Sequence, residues 1–165
     1  MTECDSRDEN RALPFSVRRA TARDAATAAT IIAAALAEYG LAFDPDGRDA
    51  DVATFGSKPD HDDLVAEELT TGQAVGVASV GPQGDEGVAW ISKVFVTRDA
   101  RRRGVGRALL CAAHAAARSR GFREVGLRTR VIFREAIALY ETAGYAKRSD
   151  PAALSPGDVV YYLRL

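Results

Sequence analysis

The sequence predicts an α/β (mixed α+β) fold: one mixed, largely antiparallel sheet of about six or seven strands, with helices on both faces. Three observations carry this. Residues 63–97 divide into short β-type runs separated by Thr71-Gly72 and Gly81–Gly84, the pattern of an antiparallel meander. At Gly104 the apolar period changes from two to that of a helix, with Leu109, Ala112, Ala113 and Ala116 on one face. A further strand follows at Glu124, so residues 87–130 form a strand-helix-strand unit, which demands a right-handed parallel crossover. At 165 residues the chain is long enough to bury one real core and too short for two.

Taken in order, residues 1–14 read as a flexible leader ending at Pro14, and 15–165 as a single domain. Phe15–Arg19 is a strand. Thr21 opens a helix, with Asp24 placed to cap it and Gly40 to stop it. Residues 41–59, rich in Asp, Gly and Pro, form a long loop with one helical turn near 49–55; loops of this length commonly bind something. Strands at 63–69, 74–80 and 87–97 follow, then a helix over 104–120 stopped by Gly121. A strand at 124–130, a helix at 134–142 stopped at Gly144, and strands at 145–148 and 159–165 complete the chain.

The formal net charge of -1 gives no global reason to expect nucleic acid or an anionic membrane as partner. No apolar run approaches the ~18–20 residues needed to span a bilayer. The start of the chain lacks a basic-then-apolar signal, so a cytoplasmic location is expected. Heavy use of Ala and of Arg over Lys suggests a bacterial source. Cys4 and Cys111 are too few for a disulfide framework or a usual zinc site, and Cys111 reads as a small buried thiol. His61 and His114 have no partners at metal-ligand spacing, so no metal is expected.

Charge is unevenly distributed: acidic residues crowd 44–68, and arginines crowd 98–107 and 118–130. Within the first basic run a strand, Val94-Phe95-Val96, ends and a loop leads into a helix opening with Gly104-Val105-Gly106. Free N–H groups and the helix dipole make such a start an anion site suited to a diphosphate. The two glycines let the backbone approach phosphate oxygens, and Arg101, Arg102, Arg103 and Arg107 add charge and forked donors. A nucleoside-triphosphate loop would need Gly-Lys-Ser/Thr, which is absent, and a dinucleotide fingerprint would need a third glycine where Leu109 stands.

Arg101-Arg102-Arg103-Gly104-Val105-Gly106, continued by Arg107-Ala108-Leu109-Leu110, resembles the signature of the GNAT superfamily of N-acetyltransferases. Ala136–Tyr145, with Leu139-Tyr140 and then Gly144-Tyr145, resembles a later segment of the same family. The resemblance implies acetyl-CoA as co-substrate, lying in a cleft between two splayed parallel strands, here 87–97 and 124–130. It implies that Val94, Phe95 and Val96 hold the pantetheine arm through their backbone, and that a backbone N–H near Val94 polarises the thioester carbonyl. It implies direct attack by an amine in a ternary complex, with Tyr140 giving a proton to the departing thiolate. The acceptor expected is a small-molecule or peptide amine, and a homodimer through sheet edges is suggested. The competing reading is an acyl-CoA-binding sensor with little catalysis.

Two departures from the family favour that alternative. Phe133 stands where many members have a cofactor-contacting Asn, and Ser92 stands where many carry a Glu as general base. A serine hydroxyl cannot serve unaided near neutral pH, so Glu67, Glu68, Asp85 and Glu86 are the remaining carboxylate candidates. Strand alternation turns Lys93 away from Ser92 and gives it no role. Trp90 reads as sheet packing, and Arg128 and Arg130 flank the cleft. The acidic loop from Phe43 to Asp51 is a candidate for attracting a cationic acceptor.

Overall fold

Strands β1 (Phe15–Arg19), β2 (Asp62–Glu68), β3 (Ala74–Pro82), β4 (Val88–Val96), β5 (Glu124–Arg130), β6 (Ala146–Arg148) and β7 (Asp158–Arg164) form one sheet in the order β1-β2-β3-β4-β5-β7-β6. Every neighbouring pair is antiparallel except β4–β5. These come from a computed structural model that describes residues 14–84, 87–149 and 155–165. The expected leader (1–14) lies outside the described residues except for Pro14, as do Cys4 within it and Asp85 and Glu86.

The sheet separates two apolar clusters. Helix α1 (Ala25–Ala37) lays Ala28, Ile31, Ile32 and Leu36 on one face, against Val65 and Val77 of the sheet. Val52 and Phe55, from the short helical turn Ala50–Thr54 and the residue after it, join this cluster. Helices α2 (Val105–Ser119) and α3 (Arg134–Thr142) cover the other face. There Val105, Leu109, Leu110, Ala113 and Ala117 pack on Ala78, Val80, Ala89, Ile91, Val125 and Leu127. Alternating strand residues feed the two clusters, as a sheet buried on both sides requires.

Local chemistry sets the boundaries. Asp24 accepts the backbone N–H of Thr21 at 2.7 Å, capping the entry to α1, and the two oxygens of its carboxylate also accept Arg18 Nη1 and Nη2 at 2.9 and 2.8 Å. That pairing, before all else, lowers the Asp24 carboxyl to about 2. Gly40 (φ 69°) ends α1, because only a residue without Cβ adopts that turn cheaply. The second expected turn starts later than the sequence suggests, because β3 stays paired to β4 through Pro82. Cys111, expected as a small buried thiol, is half-buried and is not a free thiol.

Much of the acidic and basic patterning is spent on folding. Asp62 is 1% exposed and accepts from Arg19 Nη2 and Arg120 Nε, each at 2.5 Å, which ties the start of β2 to the end of α2. Asp63 accepts the Gly56 N–H at 2.6 Å and closes the long loop.

Close approach of α2 to the sheet depends on Gly76 of β3. A Cβ there would lie 3.0 Å from both Leu109 Cδ1 and Val105 Cγ1, and 3.2 Å from the Phe95 carbonyl oxygen. Gly76→Val is therefore expected to overpack this contact and cost about 1–3 kcal/mol of stability. A urea denaturation midpoint equal to wild type would contradict the close packing.

Candidate active site

The register between β3 and β4 slips once. Phe95 pairs with Val77 and Ser92 with Ser79, so Lys93 and Val94 together oppose Ala78. This is a β-bulge, and Lys93 occupies it with φ 55°, in the left-handed region that side-chain-bearing residues avoid. The bulge shifts the phase of side chains along β4. Ala89 and Ile91 face the α2 core, and so do Val94 and Val96, while Phe95 packs on the α1 side. Ser92 and Lys93 therefore both face α1. Simple alternation turns Lys93 away from Ser92; the extra residue overrides it.

β4 and β5 pair only from Val88↔Glu124 to Ile91↔Leu127. Beyond that point β4 stays with β3, and β5 stays with β7 as far as Arg130↔Asp158. A V-shaped opening results, with its vertex beside the bulge. Thr97 N–H donates to Val75 O across β3, so by strand alternation Val94 and Val96 direct their backbone groups into the opening. Val96 O accepts Arg101 Nε at 3.1 Å.

At the mouth of the V, Gly104 (φ 87°) turns the chain into α2, leaving the N–H groups of Val105, Gly106 and Arg107 without helical acceptors. A Cβ on Gly106 would come within 2.9 Å of Leu139 Cδ2, so this glycine also lets α3 pack against α2. The four arginines divide into two pairs. Arg101 gives Nη1 and Nη2 to Glu38 at 2.8 and 2.7 Å, and Arg103 pairs with Glu68 at 3.1 Å. The side chains of Arg102 and Arg107 are exposed and hydrogen-bond to no described residue, and the charge of Arg102 helps to hold the Glu135 carboxyl down after its hydrogen bond from Tyr39.

Tyr140 projects from α3 into the core and is 5% exposed. Burial alone pushes its phenol well above the ordinary tyrosine value, so it stays protonated at neutral pH. The Tyr140 and Tyr145 rings lie 5.9 Å apart, and the Tyr145 hydroxyl shares a 2.7 Å hydrogen bond with His114 Nε2 on α2. His114, expected at the surface or in packing, is a buried hydrogen-bonding residue. Burial, and then the charge of Arg118, lower its pKa to about 4.

Residues from the end of α1 also reach the site, and sequence reasoning did not find them. Glu38 holds Arg101, and the Tyr39 hydroxyl donates to Glu135 Oε2 at 2.5 Å. The Tyr39 and Phe133 rings meet edge to face at 4.9 Å. Partial burial and then Glu135 raise the Tyr39 phenol to about 12. These partners lie 63 and 96 residues apart in sequence, and no local pattern marks them.

The remaining candidates scatter. Glu67 pairs with Arg18 at 2.6 Å, on a strand two removed from the V, and Glu68 is the partner of Arg103. In the acidic loop, Asp44 and Asp49 accept the loop's own N–H groups, and Asp51 binds Lys93 and, at 3.6 Å, Lys58. Trp90 packs edge to face on Tyr162 at 5.7 Å. Arg128 follows the last β4-paired residue of β5 and is exposed. His61 sits 2.8 Å from Asp60. Among the described residues no group of three His, Cys, Asp or Glu side chains could hold a metal ion, and no helix is long and apolar enough to cross a membrane. A cavity of about 650 Å³ lies at the opposite, paired end of β4 and β5, lined by Gly87, Arg123 and Arg164 among others.

The family model described as the acetyltransferase (GNAT) family matches residues 29–145. An uncharacterized N-acetyltransferase of Escherichia coli K12, YjgM, is 32% identical over 136 residues, covering 78% of this chain and 80% of its own. A GNAT-family acetyltransferase from Staphylococcus aureus Mu50 superposes with a TM-score of 0.79 at 16% identity, covering 91% of this chain and 98% of that one. The PaiA N-acetyltransferase of Thermoplasma acidophilum, solved in complex with coenzyme A, superposes with a TM-score of 0.73 at 12% identity, over 92% and 99% of the two chains.

The buried imidazole has a consequence for stability. With its folded pKa near 4 and an unfolded value near 6.5, the unfolded chain binds the extra proton first as pH falls. Stability is expected to be full above pH ~6.5 and to drop on the order of 3 kcal/mol towards pH ~4. His114→Gln, which cannot titrate, should flatten that part of the profile; denaturation midpoints measured across this range check it.

Proposed function

Because the chain belongs to the GNAT family of acetyltransferases, we propose that it moves an acetyl group from acetyl-CoA to an amine by direct attack within a ternary complex. The observation that carries the reading is the V between β4 and β5, with a glycine-opened helix start at its mouth; the buried phenol of Tyr140 on α3 is assigned to it in this reading. In this reading the N–H groups at 105–107 and the side chains of Arg102 and Arg107 hold the diphosphate. Arg101 and Arg103 keep the loop in shape through Glu38 and Glu68 and contribute their backbone. Val94, Phe95 and Val96 lie along the pantetheine arm, and Phe133 packs beside it.

The amine nitrogen attacks the thioester carbonyl carbon from the α1 face. The N–C bond forms, negative charge gathers on the carbonyl oxygen, and the Val94 N–H stabilises it. The C–S bond then breaks, and the leaving thiolate takes the Tyr140 proton. Only a neutral amine carries the lone pair that attacks, and its nitrogen sheds a further proton once the N–C bond has formed. Glu38 and Glu68 are ion-paired and Glu135 accepts from Tyr39, so an acceptor that arrives partly neutral, with water as base, suits this site. The acceptor class is a small-molecule or peptide amine.

The direct test is release of free CoA thiol from acetyl-CoA with a panel of amines: spermidine, tyramine, lysine, glutamate and a peptide with a free N-terminal alanine. Tight acetyl-CoA binding without stimulated release by any amine would favour a sensor instead. Tyr140→Phe is expected to lower turnover about 10-fold or more while acetyl-CoA binding persists. Unchanged turnover would remove the phenol from the mechanism.

A further inference from the structure

We propose that Lys93, tethered by Asp51, is a positioning residue: the ion pair fixes the β4 bulge and so aims the Val94 N–H at the acyl carbonyl. This rests on the role given above to Val94. The argument begins with residue choice. At φ 55° glycine is the least strained occupant, so a lysine there holds a conformation that its surroundings must support.

That side chain is only 16% exposed and its ammonium group contacts the Asp51 carboxylate, which Lys58 approaches at 3.6 Å from another side. Asp51 sits on a firm base. Its neighbour Val52 and nearby Phe55 are 2% and 1% exposed beneath α1, so the turn carrying the carboxylate is packed into the core. The tether thus joins the bulge to a separate rigid element 42 residues away in sequence.

The location gives the tether its consequence. Lys93 lies two residues beyond Ile91, where β4 loses β5, so no ladder on that side holds the backbone. On the β3 side the bulge itself leaves the extra residue outside the regular pairing. Without the tether the bulge is free to relax towards extended geometry, and a one-residue slip would exchange the faces of Val94, Phe95 and Val96. The carbonyl would then lose its donor although the diphosphate loop, ten residues on, stays intact.

The test uses the full-length protein with acetyl-CoA carrying ¹³C at the carbonyl. Infrared difference spectra should show the carbonyl stretch lowered on binding to wild type. Lys93→Met keeps the stem without the charge and Asp51→Asn keeps the shape. Both should lose most of that lowering and reduce kcat about tenfold with the fastest amine of the panel, while acetyl-CoA affinity by calorimetry stays within about threefold. Lys93→Gly, which suits the backbone best, should fold as judged by circular dichroism and show the same loss; Lys93→Arg should restore much of the signal. Full carbonyl lowering and wild-type kcat in the Met and Gly variants would overturn the assignment. Failure of wild type to bind acetyl-CoA would instead overturn the functional reading, and this one with it.

Discussion

The whole arrangement depends on where one short parallel ladder stops. Val88–Ile91 pairs with Glu124–Leu127, and beyond it the sheet parts into β1–β4 on one side and β5–β7–β6 on the other. Each half keeps its own antiparallel partners, so the backbone exposed in the gap belongs to strands already held on their far edges. Polar backbone groups can face a ligand there without the strands losing their place, a use of unpaired N–H and C=O that an ordinary sheet edge manages poorly. The bulge supplies the divergence, and the glycine-opened helix places an electropositive end at the same mouth.

Charge is partitioned with comparable economy. Within the acidic stretch, Asp44 and Asp49 accept the loop's own N–H groups, Asp63 closes the long loop, and Asp51 anchors two lysines. Two of the four signature arginines brace the loop against the end of α1 and β2, leaving Arg102 and Arg107 exposed. A salt bridge between exposed groups is worth little by itself. Here their value is geometric, because Arg101 reaches a strand carbonyl and a helix-end carboxylate with one planar group.

The fold was legible because its punctuation is local. Gly40, Gly72, Gly121 and Gly144 all take positive φ where the sequence pattern ends an element, and α3 occupies the span the pattern marks. The candidate site was legible where motif and element coincide, at Gly104-Val105-Gly106 and Tyr140. The bulge was not, since a one-residue slip alters no composition. Its trace is a lysine at the third step of Ala89, Ile91, Lys93, where strict alternation calls for an apolar side chain. The partners of Arg101 and Phe133 at the end of α1 escaped for another reason: contacts across 63 or 96 positions leave no period to read.

Those α1 contacts change how the opening behaves mechanically. Glu38 and Tyr39 stand on the β1–β4 side, whereas Phe133 and Glu135 follow β5. The edge-to-face rings and the 2.5 Å hydrogen bond therefore span the gap like the crosspiece of the letter A. Widening the opening at this end would break both contacts together, so the separation of the two halves of the sheet is coupled to the hold of the α1 end on the start of α3.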